Sequence, residues 1–327
     1  MADGFLNKLF GRSKPKGEGD VKAKVARPTV ELETLRPFSA GNSARSDSDG
    51  DAPVQAAREL RVEIGTLSDV GCVRESNEDN IRVVRPTEPS ELATRGILIV
   101  VADGMGGHNA GEIASRLAVE VVVKEYADDN KDPGKSLSRA IEHANRVIVH
   151  AAAKDSRYKG MGTTCTALLL RGGLAYCSHV GDSRLYLVRS NDIFLMTEDH
   201  SAVMDLVKQG TITQDEARHH PEKNVIIRAL GGRPEVEVAS WEKPLSVRAG
   251  DTFLLCSDGL YDLVEDDELR DVLRGELPQA ACARLVEIAR QRGGPDNITV
   301  GIVTMSDSTP ADRTDGVKAT RAIQAAS

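Results

Sequence analysis

Acidic residues recur at one kind of place in this chain, the ends of short apolar runs. The run Ile97-Leu98-Ile99-Val100-Val101-Ala102 ends in Asp103-Gly104-Met105-Gly106-Gly107. The run Phe253-Leu254-Leu255-Cys256-Ser257 ends in Asp258-Gly259. Gly293-Gly294-Pro295-Asp296-Asn297 directly precedes the run 298–303, and Glu78-Asp79 precedes the run that starts at Ile81. Each motif puts a carboxylate where an apolar strand emerges, and glycines beside it let other groups come close. Carboxylates converging there repel one another unless cations sit between them. Oxygen ligands without Cys or His select hard divalent ions, Mg²⁺ or Mn²⁺. Arg74, four residues before Glu78, could hold a phosphate oxygen beside such ions. The set reads as a two-metal hydrolase. A single Asp-Gly pair is a turn signal and no more, so the weight lies in the repetition.

The elements that must carry these residues are legible in the apolar periodicity. Runs at 62–67, 81–84, 97–101, 164–170, 174–179, 185–188, 193–196, 236–239, 252–256 and 298–303 have the length and β-branched content of strands. Short turns such as Arg171-Gly172-Gly173 predict hairpins. Helical period covers 110–126 and 135–153 as a consecutive pair, then 201–209, 267–273 and 278–290. Helices that come in pairs rather than after every strand argue against a doubly wound parallel sheet. The pattern predicts an α/β chain of the α+β type, with two antiparallel sheets flanked by helices.

Composition bounds what surrounds that domain. The chain has 327 residues and a net charge of −8. Residues 1–60 carry 10 basic and 9 acidic groups, and 306–327 carry 3 of each, so 61–305 holds a net charge of −9. Both end stretches lack a sustained apolar period and read as disordered tails around one domain at 61–305. No stretch approaches the roughly 18 apolar residues of a membrane span. Net negative charge and few aromatics argue against nucleic acid as a partner. The five Cys are odd in number and form no C-x-x-C pair, which suits buried thiols in a reducing cytoplasm. In the N-terminal stretch, Phe5, Leu6, Leu9 and Phe10 would share one face of a short helix, and the first 24 residues hold six basic and three acidic groups. That pattern fits a surface anchor or a docking peptide as well as a solvated tail. Thr29 and Thr34, beside Glu31 and Glu33, are candidate kinase targets.

The ordered landmarks resemble the metal-dependent protein phosphatases of type 2C, the PPM family, and most of all its bacterial branch. They are Asp69-Val70-Gly71-Cys72-Val73-Arg74-Glu75-Ser76-Asn77-Glu78-Asp79-Asn80, Ala102-Asp103-Gly104-Met105-Gly106-Gly107-His108, Gly160-Met161-Gly162-Thr163-Thr164 and His179-Val180-Gly181-Asp182-Ser183-Arg184. Asp199-His200-Ser201, His220-Pro221-Glu222-Lys223-Asn224, Cys256-Ser257-Asp258-Gly259-Leu260 and Gly294-Pro295-Asp296-Asn297 follow in the family order. The resemblance implies a four-layer αββα sandwich. It also implies a Mn²⁺- or Mg²⁺-dependent Ser/Thr phosphatase in which water activated by two ions attacks phosphorus without a covalent enzyme intermediate.

Roles follow from the resemblance residue by residue. Asp103 matches the carboxylate that bridges the two ions. Glu78 and the Gly104 carbonyl match the ligands of one, and Asp258 and Asp296 those of the other. Arg74 matches the phosphate-binding arginine, while Asp79, Asp182 and Asn297 match motif residues with less direct roles. A third ion would share Asp258, with Asp262 or Asp155 as a further ligand. Met105 stands where many eukaryotic members carry a histidine proposed as general acid, and His108, three residues on, is the nearby candidate. Residues 198–233 match a flap beside the bacterial active site. The implied partners are proteins phosphorylated on Ser or Thr, opposite a Ser/Thr kinase, for a cytoplasmic monomer. A pseudophosphatase that only binds phosphoproteins is the alternative, and a phosphatase of a sigma-factor regulator is a third reading.

Overall fold

The computed structural model describes residues 60–106, 110–129 and 131–307. The expected tails, with Thr29, Thr34 and the Phe5–Phe10 pattern, lie outside the described residues, as does His108. Two sheets form the centre. The first runs in the order β1 (Leu60–Asp69), β12 (Ile298–Asp307), β11 (Thr252–Cys256), β7 (Arg184–Arg189) and β8 (Asp192–Leu195). The second runs β10 (Leu245–Ser246), β6 (Leu174–Val180), β5 (Cys165–Arg171), β3 (Ile97–Met105) and β2 (Asp79–Val84). Two short strands complete it: β4 (Gly162–Thr163) pairs with β3, and β9 (Ala239–Ser240) with β6. Every pairing is antiparallel.

The β3 run is apolar without alternation because both of its faces are covered. Ile97, Ile99 and Val101 pack between the sheets with Leu187, Phe253, Leu255 and Val303. Leu98, Val100 and Ala102 point the other way, onto α2 (Ala110–Asp128) and α3 (Pro133–Lys154). Small residues at Ala114, Ala118, Ala140 and Ala144 let that helix pair lie close. Across the molecule, Leu254, Cys256, Val300 and Ile302 of the first sheet meet α7 (Asp266–Gly275) and α8 (Pro278–Gln291) through Leu269, Leu273, Leu285 and Ala289. Each fully buried aliphatic side chain contributes roughly 1.5–3 kcal/mol. The layering is the expected αββα sandwich.

The remaining helices are short: α1 (Pro89–Arg95), α4 (Ala202–Lys208), α5 (Gln214–Arg218) and α6 (Asp258–Tyr261). Three of these, α1, α5 and α6, lie outside the stretches of helical period, whereas α4 falls within 201–209. The run 236–239 is a strand only at Ala239–Ser240. Val236 and Val238 instead lie against the α2–α3 side of the core. No helix among the described residues is long and apolar enough to cross a membrane.

Candidate active site

The site lies at one end of the inter-sheet core, where alternating stripes turn polar. In β2, Ile81 and Val83 face the core, so Asp79, two residues earlier, faces the same way. In β3, Ile99 and Val101 lead in the same manner to Asp103, and β2–β3 register sets Asp79 directly opposite it. In β11, Phe253 and Leu255 lead to Ser257, and in β12, Val303 leads back to Thr299. The Ser257 hydroxyl donates to Asp79 Oδ2 at 2.7 Å and accepts Thr299 N–H at 3.0 Å.

Like charges opposite each other on adjacent strands are unfavourable. Asp103 and Asp258 keep some exposure as residues, yet their carboxyl groups are desolvated. Loss of water pushes the Asp103 carboxyl well above its ordinary range, and repulsion from Asp79, Asp258, Asp182 and Asp296 adds to it. Asp258 is pushed the same way by burial and then by Asp182, Asp296, Asp262 and Asp79. Burial raises Asp79 to about 6 against the Ser257 hydrogen bond. Burial, then Asp199, raises Asp182 to about 7. The structure therefore gathers Asp79, Asp103, Asp182, Asp258, Asp262 and Asp296 into one electrostatic cluster.

That cluster fits divalent cations. One oxygen each of Asp79, Asp182 and Asp258 is buried without a hydrogen-bond partner. An orphaned, desolvated carboxylate oxygen is costly unless a cation meets it. Among the described residues no three His, Cys, Asp or Glu side chains close into a compact cage of their own. Their repulsion explains this, since several turn toward protein partners instead. Asp296 accepts from Arg74 Nη2 at 2.8 Å, and Asp262 pairs with Lys223 Nζ at 2.5 Å.

The supporting contacts are dense around Glu78. Its carboxylate accepts the Gly111 N–H at the start of α2, which opposes the upward push of burial on its pKa. Its carbonyl accepts from the Ser115 hydroxyl at 2.6 Å and the Gly104 N–H at 3.2 Å. Its own N–H donates to Asn297 Oδ1 at 2.8 Å. Asn297 Nδ2 also donates to the carbonyls of Val70 and Ser76, at 2.9 and 3.0 Å, so this one side chain clamps the loop that carries Arg74. Gly104 and Gly111 are required by close approach. A Cβ on Gly104 would lie 2.2 Å from Gly111 O, and one on Gly111 would lie 2.8 Å from Glu78 Cδ. Asp103 is held from below, with its N–H bonded to Thr164 Oγ1 at 2.8 Å and its carbonyl to Thr163 Oγ1 at 2.9 Å.

The other expected residues fall elsewhere. Asp155 caps the turn Ser156–Tyr158 and pairs with Arg157, so it does not join the cluster. His179 and His200 stack in the interior with centroids 4.5 Å apart, and burial lowers their pKa values to about 4 and about 3. Burial pushes the thiols of Cys165 and Cys282 up to about 12, and those of Cys177 and Cys256 upward too, so none of these four offers a thiolate nucleophile. Ser257, Ser115 and Gly111 had no chemical signal of their own in the sequence.

A sequence model described as "Protein phosphatase 2C" matches residues 75–290. The serine/threonine protein phosphatase PstP of Mycobacterium tuberculosis (strain CDC 1551 / Oshkosh) is 39% identical over 253 residues, 76% of this chain and 46% of that protein. The chain thus spans about half the length of that relative. The protein phosphatase PhpP of Streptococcus pneumoniae serotype 2 is 35% identical over 252 residues, 75% of this chain and 98% of that one. A crystal structure of the PstP catalytic domain with two manganese ions superposes with a TM-score of 0.65 at 36% identity, covering 76% of this chain and 100% of that one. With the αββα layers, the strand-end carboxylates and these likenesses together, the chain belongs to the protein phosphatase 2C family.

Proposed function

We propose that this protein is a Mn²⁺- or Mg²⁺-dependent phosphatase of proteins phosphorylated on serine or threonine. The observation that carries the reading is the set of mutually repelling carboxylates with orphaned oxygens beside a guanidinium at the rim. Asp103, with Glu78 and the Gly104 carbonyl, would hold one ion. Asp103 with Asp258 and Asp296 would hold the second. Asp258 with Asp262 would be the ligands of a third, Asp262 exchanging its present Lys223 partner for the ion, and Asp182 stands beside both. When bound, divalent ions supply Lewis-acid stabilisation of the phosphoryl group and a nucleophile from water at neutral pH.

The chain's own groups do the rest. Arg74 offers a planar fork of donors to the phosphoryl oxygens and is half-exposed, so a phosphoryl group can reach it. A phosphoryl group at Arg74 would compete with Asp296, which holds Arg74 Nη2 at 2.8 Å. Asn297 and the Glu78 backbone keep the Arg74 loop in register with Asp103, which matters because small misplacements of reacting groups are costly. Four of the five cysteines are buried thiols, in keeping with a route that has no covalent cysteine intermediate.

The reading extends to a cytoplasmic monomer that opposes a Ser/Thr protein kinase. The direct test is release of phosphate from a phosphothreonine peptide with Mn²⁺. Activity should vanish with EDTA and fall by on the order of 10³-fold or more in Asp258→Ala. Turnover untouched by chelation would refute it. A pseudophosphatase would instead bind the peptide without turnover at any Mn²⁺ concentration.

A further inference from the structure

A cavity of about 440 Å³ lies beside the carboxylate cluster, between β7–β8, the α4–α5 segment and the α6–α7 turn. Its volume is within the roughly 300–1,000 Å³ of ligand sites. Part of its lining is apolar, formed by Ile193, Leu195, Val203, Met204 and Tyr261. The rest is charged, with seven acidic residues against four basic ones. Each basic group is engaged within the wall: Arg184 with Asp199, Lys223 with Asp262, Arg270 with Asp267, and Arg218 with the Tyr261 carbonyl. Asp192, Glu265 and Asp267 stand exposed among the lining residues, Glu265 paired with Arg218 and Asp267 with Arg270, and the acidic groups outnumber the basic ones by three. The cavity therefore suits an occupant that is both apolar and cationic.

One stretch of this chain has that chemistry. Residues 5–16 hold Phe5, Leu6, Leu9 and Phe10 together with Lys8, Arg12, Lys14 and Lys16, and no acidic residue. The strand registers show that this stretch can reach. Glu63 pairs with Thr304, Thr304 with Thr252, Thr252 with Val188, and Val188 with Ile193, so these five residues form one row across the sheet. Four strand spacings separate the ends of that row, about 19 Å. Leu60 is three residues along β1 from Glu63, about 10 Å. The start of β1 is thus about 22 Å from Ile193. The 43 residues between Lys16 and Leu60 can span at most roughly 140–155 Å, so the distance lies well inside their reach. Tethering at that length gives the stretch an effective concentration that a free peptide lacks.

We propose that residues 5–16 dock in this cavity of the same molecule, with the Phe and Leu side chains on its apolar wall and the Lys and Arg side chains against its acidic rim. Since Asp182 and Asp262 belong to both cavity and cluster, the docked stretch would lie at the edge of the active site. The proposal does not depend on phosphatase activity.

The test places a benzophenone photo-cross-linker at Phe10 of the full-length chain, followed by peptide mapping. The expected product has monomer mass, with links to 192–204, 214–218 or 261–270. Its yield should fall at least two-fold at 500 mM NaCl and in Ile193→Glu. The double variant Phe5→Asp/Leu9→Asp, which leaves the folded domain untouched, should lower it equally. Links scattered over the surface, or found only between molecules, would overturn the proposal. So would capture by anionic phosphatidylglycerol vesicles with no link to the cavity, which would make the stretch a membrane-surface anchor.

Discussion

Asp182→Asn separates a cation-binding carboxylate from a merely structural one by the sign of its effect. In the metal-free protein, burial and Asp199 hold the Asp182 carboxyl at about 7, against an ordinary value of 3.8. A carboxyl raised on folding contributes stability that is fully present below its unfolded pKa and is lost as pH rises through the folded one. From linkage, the folded state then gives up about 2 kcal/mol by pH 5.5 and about 4 kcal/mol by pH 8. Asparagine keeps the shape and removes that loss. Asp182→Asn should therefore melt higher than wild type in EDTA, and the gap should widen by about 2 kcal/mol from pH 5.5 to pH 8. For a domain of this size that is about 4–8 °C. Calorimetric melts of both proteins at the two pH values, with EDTA and with Mn²⁺, give the comparison. Mn²⁺ should raise the wild-type melting temperature more than that of the variant. A variant that melts lower than wild type in EDTA at both pH values would refute the argument, because Asp182 would then be a net stabilising group in the metal-free fold.

Three further outcomes follow from named contacts. Gly111→Ala should weaken Mn²⁺ binding by roughly 10–100-fold in calorimetric titration, because the new methyl group forces the Glu78 carboxylate off its N–H donor. Arg74→Lys keeps the charge and loses the fork, so kcat/KM for a phosphothreonine peptide should drop by roughly 10–100-fold, with little change in Mn²⁺ affinity. Asp251→Ala removes the buried carboxylate that takes two 2.7 Å bonds from the half-buried Arg189, and should cost about 3–5 kcal/mol in urea melts while leaving the active-site contacts in place.

Much of the architecture was legible because burial leaves a periodic trace. The long strands at 97–101, 252–256 and 298–303 and the helices at 110–126 and 278–290 all form within a few residues of expectation. Among the short elements, α4 and β8 form close to the runs 201–209 and 193–196, while α1, α5 and α6 were not legible. Helix α6 spans four residues, and the Asp-Gly at its start reads locally as a turn. The β3 run does not alternate, so only the packing shows that Asp103 continues the stripe of Ile99 and Val101 between the sheets.

The sequence by itself determined the αββα layers, the strand-end positions of Asp103, Asp258 and Asp296, and the presence of Arg74, since each is a property of local pattern or motif order. Only the tertiary structure decided which groups share space. It set Asp79 across from Asp103, brought Asp182 beside Asp258, handed Asp262 to Lys223 and left Asp155 with its neighbour Arg157. It also gave Asn297, Ser115 and Gly111 their work around Glu78. The reason is physical. Periodicity records how each segment meets water, whereas repulsion between carboxylates and the clamping of a loop act between atoms tens to hundreds of residues apart, and only folding brings those together.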